Sequence, residues 1–443
     1  MRKQVALALG ALALFSTTSV SAQPLPMAEA ESVGMSSERL DRIGQVFQQE
    51  IDSGALPGAV VMVARDGKLV YSAVLGMEDP QAGEPMQEDS IFRLYSMTKP
   101  LVSVAAMILM EEGKLHLAEP VAKYLPEFAD LEVSVPATDG DGKTTYSNVP
   151  LKRPMTVQDL LRHTAGLAYG ELTRNPEVQQ AYAEAGVFNP GGMPFDARGV
   201  APDEQVAGLG RAQLVNQPGE VWQYGLATDV LGRVIERISG MELGAFLEAR
   251  LFGPLKMDST GFYVPENAME RLAESFATNA AGAPIALIDV SAPPANASGG
   301  GGAVSTAGDY LRFNQMLLQG GVLEGVQVLS PTSVKLMTAD HLGERIQTPL
   351  TPGEPMMGVH GYTFGLGFMV REEDGIAGVP GSQGEYMWAG YAGTFFWVDP
   401  EEKLTAVLMA QMPGPTAAHY RRLVKQLVYQ AIIDAGKDRP LIQ

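Results

Sequence analysis

The 443-residue chain contains no cysteine. Disulfides, thiolate nucleophiles, thiolate metal ligands and lipid attachment through cysteine are thereby excluded, so the fold must rest on its core. Basic residues are scarce: 32 Lys and Arg stand against 51 Asp and Glu, a net charge of −19. So acidic a chain argues against nucleic acid or an anionic membrane surface as partner. The five histidines are scattered and no His-Glu-x-x-His occurs, so neither a metal nor another cofactor is expected. A Gly-x-Ser-x-Gly nucleophile elbow is also missing. Apolar runs long enough to span a membrane are absent throughout.

What is present begins with a leader. Arg2-Lys3 forms a basic start, 5–15 is a short apolar stretch, and Val20-Ser21-Ala22 is a small-residue cleavage site. Residues 1–22 therefore read as a signal peptide, and 23–443 as an exported chain, periplasmic or secreted. With 46% apolar and 19% charged residues, the full sequence has an ordinary globular composition. Its length suits one large domain or two lobes.

Residues 23–35 read as a tether, followed by a helix capped at Ser36 with Leu40, Ile43, Val46, Phe47 and Ile51 on one face. Asp66-Gly67 between two apolar alternations predicts a β-hairpin over 59–75 with a type I′ turn. The middle is mostly helical. Thr156 and Asp159 predict a capping box, 228–238 an amphipathic helix ended by Gly240, and 241–251 another. The polar stretch 137–150 reads as a loop, and 170–220 as an irregular, substrate-facing excursion. His163, at a helix end, is expected to face the helix dipole rather than do chemistry. The glycine run Ser298 to Gly302 lacks the Lys-Ser or Lys-Thr of a phosphate loop and reads as a strand edge. It feeds a helix over 307–318 capped by Thr306. Strands follow at 362–370, 386–398 and 404–411, and a helix over 416–435 closes the chain. The fold class is α+β. Strands from both ends form one antiparallel sheet, an α/β lobe at 23–90 and 285–443, beside a mainly helical lobe at 91–284.

The chemistry centres on Tyr95-Ser96-Met97-Thr98-Lys99-Pro100, which opens the apolar run 101–110. A helix starting near Ser96 puts Ser96 and Lys99 one turn apart on one face. A serine hydroxyl needs a neighbour to take its proton, and an amine at the positive end of a helix can help. Ser-x-x-Lys alone is a weak signal; two further stretches, Tyr224-Gly225-Leu226 and Trp388-Ala389-Gly390, accompany it in order.

Together with Val63 through Lys68, Leu160-Leu161-Arg162-His163-Thr164-Ala165-Gly166-Leu167, Gly299 through Phe313 and Trp388 through Pro400, these motifs resemble the serine β-lactamase and penicillin-recognising fold. Within it the chain is most similar to the class C branch and the family VIII carboxylesterases. The resemblance implies that Ser96 is acylated, that Lys99 keeps its proton mobile, and that Tyr224 is the general base. A phenol ordinarily ionises near pH ~10, so the nearby ammonium would favour its phenolate. The backbone N–H groups of Ser96 and Tyr391 would form the oxyanion hole. Trp388, Gly390 and Leu226 would contact substrate. Where β-lactamases carry a lysine in the third motif and an asparagine in the second, this chain has Trp388 and Leu226. Two polar anchors become apolar, which turns the expectation from penicillins to uncharged esters of small to medium acyl groups. A β-lactamase, a D-amino-acid-releasing peptidase, an acyltransferase and a non-catalytic binder are the rivals.

Overall fold

The computed structural model describes residues 25–170, 173–188, 193 and 195–434. The expected signal peptide lies outside these residues, as does the end of the expected final helix.

Asp66 and Gly67 both adopt positive φ (50° and 76°), the geometry of a type I′ turn, and so fold the chain back on itself early. The strands in chain order are β1 (Gly58–Arg65), β2 (Lys68–Asp79), β3 (Glu84–Pro85), β4 (Phe92–Arg93), β5 (Glu132–Thr138), β6 (Thr144–Pro150), β7 (Val304–Ser305), β8 (Val322–Leu323), β9 (Val326–Gln327), β10 (Tyr362–Phe364), β11 (Met369–Arg371), β12 (Tyr386–Ala389), β13 (Phe395–Asp399) and β14 (Leu404–Met409). Eight of them form one sheet in the order β10-β11-β12-β13-β14-β1-β2-β3, antiparallel throughout. The two ends of the chain meet where β14 pairs with β1, from Val60 opposite Met409 to Arg65 opposite Leu404.

Strand β1 is buried along its whole length, as a strand covered on both faces must be. Helix Ala307–Leu318 packs on β1, β13 and β14, while Ser37–Asp52 packs on β2 and against Ala417–Tyr429. Helix Thr98–Glu111, buried at nearly every position, packs against Ala227–Ser239 beside the sheet. A continuous apolar core runs from the sheet into this helical region. No helix among the described residues is long and apolar enough to cross a membrane.

Several local expectations are corrected. Residues 23–35 are no loose tether. Leu25 is buried, and Pro26 and Ala28 exchange backbone hydrogen bonds with Leu69 at 3.0 Å. The polar stretch 137–150 lies within a hairpin, β5 with β6, whose largely exposed faces carry Thr, Ser and Asn where an apolar alternation would have revealed strands. The excursion 170–220 contains helices Pro176–Ala185 and Pro202–Leu209. Each begins at a proline, and Asn175 caps the first. The expected strands 362–370 and 386–398 each break into a hairpin, β10 with β11 and β12 with β13.

The β12–β13 turn comes against the chain just before Ser96. The Thr394 hydroxyl donates to the Leu94 carbonyl at 3.2 Å, and a Cβ at Gly390 would collide with that carbonyl and with the Thr394 hydroxyl. Gly390→Ala should therefore cost about 1–3 kcal/mol through overpacking. Chemical denaturation would read this as a lower midpoint at unchanged slope.

Asp159 organises the other approach to the site. Thr156 caps helix Val157–Leu161 in the predicted capping box. The fully buried Asp159 carboxylate also accepts a bidentate pair from Arg153 (2.6 and 2.9 Å), one bond from Arg162 (3.0 Å) and one from the Thr164 hydroxyl (2.8 Å). Burial alone would raise its pKa, but the Arg153 and Thr156 hydrogen bonds and the Arg153 charge bring it down to about 2. The folded value lies below the unfolded one. Its stabilisation is therefore present above about pH 4 and is lost as pH falls towards 2. Asp159→Ala should cost about 1–3 kcal/mol at pH 7, because it leaves the buried Thr164 hydroxyl and the partly exposed Arg153 and Arg162 without their shared acceptor. The gap between variant and wild type in unfolding free energy should narrow on acidification to pH 3.

Candidate active site

The approach to Ser96 is a strained turn. Arg93 is tied by its guanidinium to the carbonyls of Ile288 and Ala273 and to the Glu274 carboxylate at 2.8–3.0 Å. Tyr95 then takes a left-handed backbone conformation, φ 47°, which is uncommon without a glycine. Its buried hydroxyl accepts the Ile288 N–H at 3.1 Å, so the turn is held on both sides. Burial pushes this phenol up to about 12, which leaves it neutral and structural. Between Ile91 and Pro100 only Ser96 escapes burial. A short 3₁₀ turn, Tyr95–Met97, leads into helix Thr98–Glu111, so Lys99 falls one turn beyond Ser96.

The Ser96 Oγ accepts a hydrogen bond from Lys99 Nζ at 3.0 Å and one from the Tyr224 hydroxyl at 2.6 Å. Lys99 is only 1% exposed. Its ammonium also donates to the Tyr169 hydroxyl (3.0 Å) and the Gly300 carbonyl (2.6 Å). Three donors meet three acceptors, with no carboxylate among them. The ammonium lies 4.8 Å from the centroid of the Tyr224 ring and 5.5 Å from that of Tyr169, within cation–π range. Residues far apart in sequence thus converge on one nitrogen.

The glycine run is built around that nitrogen. Asp229, near the start of helix Ala227–Ser239, accepts the Gly300 N–H at 3.1 Å and the Ser298 hydroxyl at 2.6 Å. A Cβ at Gly300 would collide with the same carboxylate. The run therefore fixes a carbonyl on Lys99. Sequence reasoning missed this, along with Tyr169 and Asp229. The only signal was the run of glycines itself, which indicates close backbone approach without saying to what.

Tyr224 is held in an aromatic wall. Its ring packs against His163 (5.0 Å between centroids), Trp388 (5.4 Å) and Tyr169 (5.6 Å). His163 is buried, and its pKa is pushed well below the ordinary value, first by burial and then by the Lys99 charge. A neutral imidazole gains nothing from a helix dipole, so the dipole expectation is corrected: His163 is a packing surface for Tyr224.

Two expected substrate contacts are also corrected. Trp388 and Leu226 are buried and do not line the cavity that opens over Ser96. Trp388 stands behind Tyr224 and Phe364, and Leu226 forms the N-cap of helix Ala227–Ser239 inside the core. In a strand and the opening turns of a helix that are buried on all sides, spacing alone does not say which side chain faces the cavity.

Gly390 and Tyr391 do line it. Among the described residues, neither the Ser96 N–H nor the Tyr391 N–H donates to any group. The cavity has a volume of about 410 Å³ and is walled by Tyr169, Phe195, Ile288, Met356 and the half-exposed ring of Tyr391. Asp196, Arg198 and Arg421 are its charged members. The excursion 170–220 thus supplies Phe195, Asp196 and Arg198. What the arrangement offers chemically is a serine oxygen held by a phenol and an ammonium beneath a mostly apolar cavity.

A sequence profile of the Beta-lactamase family matches residues 43–430. Protein Rv1367c of Mycobacterium tuberculosis is 37% identical over 376 residues, covering 82% of this chain and 88% of that protein. Esterase EstB of Burkholderia gladioli is 32% identical over 414 residues, covering 86% of this chain and 94% of the esterase. Among solved structures, EstCE1, a hydrolase with promiscuous acyltransferase activity, superposes with a TM-score of 0.73 at 26% identity, covering 90% of this chain and 99% of its own. With the antiparallel sheet and its flanking helices, these likenesses place the chain in the beta-lactamase family, among the serine hydrolases that include an esterase.

Proposed function

We propose that this protein is an exported carboxylesterase that cleaves uncharged esters of small to medium acyl groups through an acyl-enzyme on Ser96. The observation that carries the reading is the Ser96 Oγ between Lys99 Nζ and the Tyr224 oxygen, at 3.0 and 2.6 Å, facing an apolar cavity. The 32% identity to an esterase supports it.

Acylation uses Tyr224 as the general base, entering the step with its own proton already given up and with Lys99 Nζ 4.8 Å from its ring centroid. The 2.6 Å contact then carries the Ser96 proton to Tyr224 while Oγ attacks the ester carbonyl. The carbonyl oxygen becomes an oxyanion between the Ser96 and Tyr391 N–H groups. Collapse breaks the bond to the alcohol, which leaves with the proton from Tyr224. Water then gives a proton to Tyr224 and attacks the acyl carbonyl. Ser96 leaves as the acid forms and takes its proton back from Tyr224. Lys99 remains bonded to Tyr169 and Gly300 throughout, a fixed charge beside the moving proton.

A β-lactam carboxylate needs a free cation. Neither Trp388 nor Leu226 supplies one, Arg421 is engaged with the carbonyls of Met356 and Gly390 at 2.7 Å, and Arg198, the other cation in the wall, donates to the Phe262 carbonyl at 2.7 Å and feels the Asp196 charge. Ser96→Ala should abolish hydrolysis of a short-chain p-nitrophenyl ester, a loss of roughly 10⁴-fold or more in kcat. Tyr224→Phe should keep the fold and lose about 10²–10⁴-fold. In the same assay a chromogenic cephalosporin should turn over far more slowly than the ester. Faster cephalosporin turnover would make the protein a β-lactamase. Ester turnover that survives in Ser96→Ala would refute the proposed nucleophile. Adding a short alcohol tests acyl transfer: a new ester formed at the expense of free acid would identify a transferase.

A further inference from the structure

Arg421 has no part in the proton transfers above, yet it lines the cavity from helix Ala417–Tyr429 and is only 5% exposed. Its described partners are two backbone carbonyls, Met356 through Nη1 and Gly390 through Nη2, both at 2.7 Å. No carboxylate is among them. Burial accordingly lowers its pKa to about 10, against the opposing influence of Tyr224. A buried cation without a counter-ion is costly, so its place in the wall calls for a reason.

The geometry supplies one. The Gly390 carbonyl and the Tyr391 N–H are opposite ends of a single peptide unit. We infer that Arg421 is a positioning residue for the reaction, orienting and polarising the Gly390–Tyr391 peptide so that its N–H is a stronger donor to the oxyanion. This rests on the reading of Tyr391 N–H as an oxyanion donor given above. A charge-assisted hydrogen bond on a carbonyl oxygen draws electron density towards it and leaves the amide proton more positive. The same carbonyl also accepts the Gly393 N–H at 3.3 Å, and the preceding peptide is pinned where the Gly390 N–H donates to the Thr394 carbonyl at 2.8 Å. The plane of the peptide is thus held by the turn, and its polarity is set by the guanidinium. The planar fork spans both carbonyls through two nitrogens held in fixed geometry, which the single nitrogen of a lysine does not reproduce.

The test uses the whole enzyme with Arg421→Gln and Arg421→Lys, assayed on a neutral p-nitrophenyl ester. Losing one oxyanion donor costs about 10²–10³-fold, so weakening one should lower kcat by roughly 10–10²-fold in Arg421→Gln with KM little changed. Arg421→Lys should fall between that variant and wild type. In an acyl-enzyme made with a slowly released, ¹³C-carbonyl-labelled acyl group, the infrared carbonyl stretch should move to higher wavenumber in Arg421→Gln, and guanidinium ion should partly rescue Arg421→Ala. A lower melting temperature with wild-type kcat and an unmoved carbonyl stretch would make Arg421 a structural clamp and overturn the inference. A KM rise confined to anionic esters would make it a substrate anchor instead, which also overturns it. Failure of the underlying hydrolase reading would show separately, as a wild-type enzyme that neither cleaves the ester nor is labelled on Ser96 by a fluorophosphonate.

Discussion

The site depends on one buried ammonium. Taking Lys99 out of water without a carboxylate partner carries a penalty of several kcal/mol, which only well-placed dipoles can offset. Each acceptor is therefore secured by its own element. Ser96 sits on a strained turn, Tyr169 follows the capped helix Val157–Leu161, and Gly300 is held by Asp229. The aromatic faces of Tyr169 and Tyr224 complete the shell. The same charge helps keep His163 neutral, so the imidazole nearest the phenol contributes packing and no competing proton.

From this follows the division of labour between the two ends of the chain. The helical middle delivers Ser96, Lys99, Tyr169 and Tyr224. The sheet delivers the β12–β13 turn, whose Gly390 touches the chain at Leu94 because no Cβ intervenes. The pairing of β14 with β1 joins the first and last parts of the chain in the sheet that carries this turn. A shift in the sheet would therefore reach the Gly390–Tyr391 peptide, which the proposal makes an oxyanion donor.

Much of this was legible in the sequence where the signal is local. Asp66-Gly67 allowed only a tight turn, Thr156 and Asp159 spelled out a capping box, and Ser96 with Lys99 at helical spacing announced a shared face. Long-range acceptors were not legible. Nothing in the spacing tied Tyr169 or Gly300 to Lys99, or Arg421 to Gly390, because these contacts form only after the elements pack. Faces failed for a related reason: β12 is buried on both sides, so its alternation does not separate Trp388, behind the wall, from Ala389 and Gly390, on it. The β5–β6 hairpin was hidden because its polar residues carry no hydrophobic period.

The central claim is that Ser96 becomes covalently acylated during ester turnover. The most direct measurement is rapid acid quench of the wild-type enzyme mixed with a p-nitrophenyl ester, followed by intact-protein and peptide mass analysis. The account predicts a transient mass gain equal to one acyl group, located on the peptide that carries Ser96, and absent from Ser96→Ala. Full ester turnover with the acyl group on another residue, or with none at any time in a burst-competent reaction, would contradict it.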